Sequence, residues 1–241
     1  MQELSEEEYQ LNARVKKQLM WFGIAGLVMM FAGLTSAYLV SRSDVLWVSI
    51  NPPSVFTMSS FVILGSSISM IVAVKMAKKG NRLSNLFLAL TVVLGMVFCK
   101  NQYDGFVEMH GMGMSFSHNK VANVIKNSVY GEDYTFVYKG VPLVKTEEHY
   151  YLATDKGMTT PMDDQLEFEA NDSASSYFIM LIGIHVAHVL VGILALLFTF
   201  VQSLRKKYIN GRTSGLEVCA YFWHFVDILW LYLFGFLYFI R

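Results

Sequence analysis

Residues 215–234 read GLEVCAYFWHFVDILWLYLF, an apolar segment that nevertheless contains a glutamate, a histidine and an aspartate. A helix of about 20 apolar residues crosses the ~30 Å hydrocarbon core of a bilayer. Ionisable groups are costly in hydrocarbon, so a spanning helix turns them toward protein or another polar environment. The segment therefore predicts a membrane helix with a polar face against the rest of a protein.

The composition of the whole chain agrees with a membrane protein. Of its 241 residues, 54% are apolar and 16% are charged, whereas a soluble protein is about 25% charged. The apolar residues form five blocks, and these predict membrane spans near 19–40, 54–77, 84–103, 174–202 and 217–240. The first block follows a polar start and is too long for a signal peptide, so no cleaved leader is predicted.

The predicted fold class is an all-α membrane protein with five transmembrane helices. It comprises an N-terminal tail (1–18), three helices (19–103), an extramembrane insertion (104–172) and two further helices (173–241). Lysine and arginine concentrate in the tail and in the second and fourth connections, which the positive-inside rule assigns to the cytoplasm. The insertion and the C-terminus are then predicted to lie outside.

The insertion differs in composition from the spans around it. It holds twelve Asp and Glu against five Lys. Residues 134–144 alternate like a strand and break at Lys139-Gly140, which predicts a β-hairpin. A connection of this length is uncommon as a bare linker, so we expect a small β-containing module or a binding loop.

Five ionisable residues of the last two spans form a polar set: His185, His188, Glu217, His224 and Asp227. Residues three apart share one face of a helix, as do the two histidines of the fourth span and the His–Asp pair of the fifth. Three interpretations remain open for this set. They are a metal or haem site, a proton or ion path, and a network of interhelical hydrogen bonds that also holds a lipid or a partner subunit; the third is favoured.

Two further groups of residues have a chemistry to consider. Residues 109–118 gather soft and imidazole ligands suited to Cu(I), with His110, Met112, Met114 and His118 as copper candidates. A flexible or packing segment is the favoured interpretation. The two cysteines, Cys99 and Cys219, fall near opposite ends of their spans, so no disulfide is predicted.

Two segments resemble subunit III of the haem-copper respiratory oxidases. They are GIHVAHVLVG at 183–192 and EVCAYFWHFVDILW at 217–230, where the family reads close to G-x-H-G-x-H-V-x-x-G and E-x-x-x-x-Y-W-H-F-V-D-x-x-W. The five spans are similar to the shorter bacterial form of that family. The chain departs from it at Leu27, where the family has a buried Glu, at Gly105, where a Glu would stand, and in its long insertion.

The resemblance implies a non-catalytic subunit of a proton-pumping terminal oxidase in a bacterial inner membrane, with the insertion in the periplasm. Subunits I and II would be its partners and would carry the haem and copper, and this chain would hold no cofactor except bound phospholipid. In the family, subunit III stabilises subunit I, binds lipid and helps to sustain proton uptake. The polar set would be the interhelical network or lipid contact, while Trp223 and Trp230 would serve in packing.

The electron donor and the partner of the insertion stay open at this point. Cytochrome c oxidase is favoured and quinol oxidase is the alternative, since both contain a similar subunit III. The acidic insertion suits a basic partner such as cytochrome c, or a neighbouring respiratory complex. A stand-alone transporter or b-type cytochrome is the rival from another class, and nothing in the sequence suggests nucleic-acid binding.

Overall fold

The computed structural model describes residues 5–43, 45–114, 121–146, 149–155, 157–166, 173–205, 208 and 213–240. Within these ranges, five helices are long and apolar enough to cross a membrane. They are α1 (Glu6–Ser41), α2 (Ser54–Lys78), α3 (Leu83–Gly111), α5 (Ser173–Leu204) and α6 (Ser214–Phe239), with the short α4 (Val121–Asn127) between α3 and α5. The predicted fold class, a multi-pass all-α membrane protein with five spans, is confirmed.

Two helices extend beyond the predicted spans. Helix α1 begins at Glu6, inside the predicted tail, and α3 continues to Gly111, inside the predicted insertion. The start of α1 is a capping box, because the Ser5 amide donates to Glu8 Oε2 (3.0 Å) and the Glu8 amide donates to Ser5 Oγ (3.3 Å). Hydropathy marks the part of a helix that can lie in hydrocarbon, whereas the internal hydrogen bonds of a helix continue into polar sequence.

The chain divides into two compact units. The first comprises residues 1–30, 57–102 and 185–232, and it contains segments of all five long helices. The second comprises residues 31–56, 103–184 and 233–241, and it contains every described strand. The polar set lies in the first unit.

The second unit contains a four-stranded antiparallel sheet in the order β1-β2-β3-β4. Its strands are β1 (Leu46–Ile50), β2 (Tyr134–Tyr138), β3 (Val141–Lys145) and β4 (Tyr150–Leu152). The predicted hairpin is confirmed, since Lys139 (φ 47°) and Gly140 (φ 81°) both adopt the left-handed conformation that a type I′ turn requires. Strand β1 was not predicted, because it lies in the first connection and its partner β2 comes much later in the chain.

Aromatic side chains form the core of the second unit. Tyr134 and Phe136 are fully buried, with their ring centroids 5.3 Å apart, and the Tyr130 and Tyr150 rings pack against them at 5.4–5.8 Å. On β1, Trp47 is buried and packs edge-on against Tyr38 of α1 at 5.2 Å. The first connection therefore joins the insertion in one small module.

Candidate functional site

Trp223 of α6 is a central packing residue of the first unit. Its ring is fully buried, and its indole Nε1 donates to Ser66 Oγ of α2 at 3.0 Å. A Cβ added at Gly95 of α3 or Gly192 of α5 would lie 2.9 Å or 3.1 Å from that ring. One side chain thus packs against three other helices.

Trp230 repeats this arrangement two turns further along α6. It is also buried, and its Nε1 donates to Ser60 Oγ of α2 at 3.0 Å. Its ring contacts Phe98 of α3 edge-on at 5.4 Å and His185 of α5 at 5.4 Å. The packing role predicted for both tryptophans is therefore confirmed, and the geometry places His185 within an aromatic environment.

His185 and Asp227 are buried, and no described residue hydrogen-bonds their side chains. This holds for both ring nitrogens of His185 and for both carboxylate oxygens of Asp227. The exposed fractions of His185 and Asp227 are 0% and 2%, so neither side chain is solvated from outside the protein. An unsatisfied buried polar group costs about 1–3 kcal/mol, and the usual solution in proteins is an ordered water molecule.

The other members of the polar set are less buried. His224 Nδ1 lies 2.7 Å from the Ser67 hydroxyl of α2, and the same hydroxyl lies beside the Asp227 carboxylate without meeting hydrogen-bond geometry. His188 is half-buried and lies close enough to His185 to act on it electrostatically. The hydrogen bond described for His224 therefore goes to α2 and not to another member of the set.

Glu217 joins the start of α6 to two basic side chains. Its carboxylate lies 2.5 Å from Lys17 Nζ of α1 and 3.0 Å from Lys78 Nζ of α2. The Thr213 hydroxyl donates to the same carboxylate at 3.2 Å. The two lysines are partly exposed, so each pair stabilises by only about 0–1 kcal/mol. The polar set thus comprises two buried residues (His185 and Asp227), one glutamate in a partly exposed ion-pair cluster (Glu217), and two half-buried histidines (His188 and His224).

The residues of α1 and α2 that contact either the polar set or the two tryptophans were missed in the sequence analysis. They are Lys17, Lys78 and three serines, Ser60, Ser66 and Ser67. A signal existed, because two buried tryptophans seven residues apart need acceptors for their indole N–H groups. The serine pairs 59–60 and 66–67 repeat at the same spacing inside an apolar span.

Two of the three departures from the family pattern, Leu27 and Gly105, lie at described positions of α1 and α3. Leu27 lies half-buried on α1. At Gly105, an added Cβ would lie 2.3 Å from the Phe56 ring. A glutamate at position 105 would therefore require the Phe56 ring to move.

The copper candidates are spread between core and surface. His110 is exposed on the last turn of α3, Met112 is half-buried and Met114 is fully buried; His118 lies outside the described residues. Across the described ranges, no cluster of three or more His, Cys, Asp or Glu could hold a metal ion. The copper site stays a prediction, and the absence of a disulfide is confirmed because both cysteines are free.

An apolar groove lies along α1, α5 and α6 within the first unit. It encloses about 600 Å³. Its walls are mostly aliphatic and aromatic side chains, and Lys16 adds a charged group. Five of the residues that line the groove are Lys16, Met20, Val191, Phe198 and Phe222.

Comparison with known proteins points to one family. Residues 164–241 match the model of a family described as cytochrome c oxidase subunit III. That range holds the whole polar set and both tryptophans. The match confirms the predicted resemblance to subunit III of the haem-copper oxidases, which is carried by this C-terminal region.

Individual relatives agree with the family match. A probable cytochrome c oxidase subunit 3 of Mycobacterium leprae is 34% identical over 94 residues, covering 39% of this chain and 42% of the relative. A cytochrome c oxidase subunit 3 of Corynebacterium diphtheriae is 32% identical over 107 residues, covering 44% of this chain and 48% of the relative. The tick Rhipicephalus sanguineus has one that is 37% identical over 75 residues, 31% of this chain and 29% of the relative. The chain spans less than half the length of these relatives.

Proposed function

We propose that this chain is subunit III of a terminal respiratory oxidase, assembled with subunits I and II. One observation carries the proposal: the region that matches the family, residues 164–241, is the region whose tryptophans pack against α2, α3 and α5. The match therefore falls on residues that hold the helices together. The complex would reduce O₂ to water and pump protons, and this chain would stabilise subunit I.

The chain itself is proposed to be non-catalytic, with haem and copper held by subunits I and II. The chemistry of its histidines supports this assignment. His185 is packed between the Trp230 and Phe98 rings, and His224 is engaged by Ser67. Both imidazoles are thus used within the protein's own packing.

Support for proton uptake is proposed to be indirect. With Leu27 in place of the family's glutamate, α1 offers no carboxylate at that depth, so this chain would act through the stability of subunit I. Asp227 and His185, which no described residue hydrogen-bonds, would each bind an ordered water molecule between helices. These water-mediated contacts would contribute to that stability.

Bound phospholipid is proposed to occupy the groove along α1, α5 and α6. Acyl chains suit its apolar walls, such as Met20, Val191 and Phe198, and the Lys16 ammonium suits a lipid phosphate. Replacing Phe222 by Trp would narrow the groove. Lipid extraction followed by mass spectrometry should then detect less bound phospholipid than in the unaltered chain, and unchanged lipid content would contradict this assignment.

The electron donor is proposed to be cytochrome c, since the relatives above are named cytochrome c oxidase subunits. The acidic insertion would face the periplasm and attract basic cytochrome c or a neighbouring complex, with the N-terminus in the cytoplasm of a bacterial cell. Exposed acids such as Glu132 and Asp164 contribute to this charge. The rate of cytochrome c oxidation by the complex should therefore fall as salt screens the charges.

A mild-detergent pull-down of the tagged chain tests the proposal. A reduced-minus-oxidised spectrum and protein identification are made on the same sample. We expect a larger haem-bearing subunit to co-purify, and the chain to be colourless once separated from it. Haem that stays on the separated chain would overturn the non-catalytic assignment. Recovery of the chain without an oxidase subunit, after chemical cross-linking in the membrane, would overturn the oxidase assignment.

A further inference from the structure

The turn between α2 and α3 and the end of α5 enclose a second, polar cavity of about 180 Å³ in the first unit. We call it the basic pocket. It is lined by Asn81, Arg82, Ser84, Asn85, Ser203 and Tyr208, together with Ala77, Gly80 and Leu204. A water molecule takes about 30 Å³ of liquid volume, so the basic pocket has room for a group of several heavy atoms.

The local sequence explains why the pocket has a defined shape. Helix α2 ends where Gly80 takes a left-handed conformation (φ 65°), and the Asn81 amide returns to the Met76 carbonyl at 3.0 Å. The Asn81 side chain then accepts from the Leu83 amide at 3.0 Å and caps α3. The turn is thus fixed by its own hydrogen bonds before any ligand is considered.

The polar groups of the basic pocket are mainly donors. Arg82 is exposed and has no ion pair among the described residues. Ser84 is only 8% exposed, yet no described residue is a hydrogen-bond partner of its hydroxyl. Asn85 Oδ1 already accepts from the Ser203 hydroxyl at 2.6 Å, which leaves the amide Nδ2 of Asn85 free to donate. Among the described residues, no aspartate or glutamate lines this cavity.

Tyr208 also lines the pocket. This residue is 7% exposed, and its hydroxyl donates to Gln202 Oε1 at 3.0 Å. Burial raises the pKa of Tyr208 to about 12, so the ring hydroxyl is neutral at physiological pH and adds no negative charge. The N-terminal end of α3 adds its partial positive charge on the other side.

We infer that the basic pocket is a binding site for a phosphate group, with Arg82 as its cation and Ser84 and Asn85 as hydrogen-bond donors. A hydroxyl that no described residue hydrogen-bonds, a free amide, a guanidinium without a described ion pair and the lack of carboxylates among the described lining residues together fit an oxyanion. Arginine is well suited to this ligand because its planar fork matches phosphate geometry. The pocket lies at the ends of three spanning helices, where a lipid headgroup or a free phosphate could each supply the group. The inference does not depend on the oxidase assignment.

Calorimetric titration of the full-length chain, purified with its co-purifying partners into phosphate-free neutral detergent, tests this site. The two probes are inorganic phosphate and dihexanoyl phosphatidic acid, and dihexanoylglycerol is the phosphate-free lipid control. We expect saturable binding of at least one phosphate-bearing probe and none of the control. Binding of phosphatidic acid alone assigns the site to lipid headgroups, and binding of inorganic phosphate assigns it to the free anion. Binding of neither probe would overturn the inference.

Two variants locate the binding in this pocket. Arg82→Gln should weaken binding of the probe about tenfold or more, since it removes the charge-assisted hydrogen bonds of the guanidinium to the phosphate. Lys79→Gln is the matched control, because Lys79 is exposed nearby and does not line the cavity. Ser84→Ala should weaken binding by a smaller factor without changing net charge. Equal effects of the Arg82 and Lys79 changes would show general charge attraction and would overturn the site.

Discussion

Helices α1 and α6 have similar hydropathy but different relations to the rest of the protein. The most apolar 18-residue stretches of α1 and α6 have mean hydropathies of 1.8 and 1.5. Only 22% of the residues in the α1 stretch are buried, against 39% in the α6 stretch. The large side chains show the difference directly. Trp21 and Phe22 of α1 are 59% and 77% exposed, whereas Trp223 and Trp230 of α6 are at most 1% exposed.

The cause of this difference lies in the helices that face α6. Glycines at 95 and 192 leave room for the Trp223 ring, and Ser66 and Ser60 accept the two indole N–H groups. The α1 glycines at 23, 26 and 33 have no atom within 4 Å of an added Cβ. Apolar composition therefore indicates which helices can span the membrane. Small residues and hydrogen-bond acceptors on neighbouring helices determine which apolar side chains are buried in the protein core.

The largest expected effect comes from removing a tryptophan from each helix. Trp223→Ala should lower the free energy of unfolding by about 3–5 kcal/mol, because a fully buried ring and its hydrogen bond are lost. Trp21→Ala should cost less than about 1 kcal/mol, since that ring is exposed and contacts Tyr221 only at 6.2 Å. Unfolding in mixed micelles with increasing dodecyl sulfate, followed by far-UV circular dichroism, measures both. Equal losses would remove the distinction between the two helices.

A smaller effect is expected when a methyl group is added to a glycine. Gly95→Ala places a Cβ 2.9 Å from the Trp223 ring and should destabilise by about 1–3 kcal/mol through overpacking. Gly26→Ala meets nothing and should be neutral or stabilising by about 0.5–1 kcal/mol, because alanine favours the helix. The same unfolding titration compares them. A stabilising Gly95→Ala would mean that Trp223 does not occupy this space.

Removing one indole acceptor should cost less again. Ser60→Ala removes the serine acceptor of the Trp230 Nε1 hydrogen bond, and we expect a loss of about 0.5–1.5 kcal/mol, the net contribution of a typical hydrogen bond. Ser36→Ala on the exposed face of α1 is the control and should change stability by under about 0.5 kcal/mol. The fluorescence emission of Trp230 should also shift in Ser60→Ala. An unchanged emission spectrum would contradict this expectation.

The smallest expected effect concerns the ion pairs of Glu217 with α1 and α2. Glu217→Gln should destabilise by about 0.5–1 kcal/mol, because both lysines are partly exposed. Glu7→Gln, an exposed position near the start of α1, is the control. The difference between the two variants should shrink at high salt, since screening weakens the pairs. A difference that does not depend on salt would indicate a packing role for Glu217.

The long spans of this protein were predictable, while their ends were only partly so. The predicted 54–77 and 174–202 agree closely with Ser54–Lys78 and Ser173–Leu204, because apolar runs with polar ends mark the membrane core. The early start of α1 and the late end of α3 were missed, since polar residues can extend a helix outside hydrocarbon. The hairpin at Lys139-Gly140 was predictable because its turn chemistry is local.

The candidate site was predictable on one side only. The resemblance and the periodicity identified the polar set and the packing tryptophans on α5 and α6. No local pattern singles out their partner Lys17 on α1. The serine pairs of α2 repeat at the spacing of the tryptophans, but only the packing of α2 against α6 shows that they are the acceptors. The basic pocket likewise needs Arg82 and Ser203 in one place, although they are far apart in the chain.

The sequence by itself therefore determined the membrane class, the five spans, the β-hairpin and the family resemblance, since each depends on composition, period or short motifs. The tertiary structure alone decided that no described residue hydrogen-bonds the buried His185 and Asp227 side chains, that β1 joins the insertion, and that a side chain at position 105 would meet the Phe56 ring. These outcomes depend on which side chains meet across helices and strands. The physical reason is that burial and hydrogen bonding are properties of pairs of surfaces, and a single segment contains only one of the two.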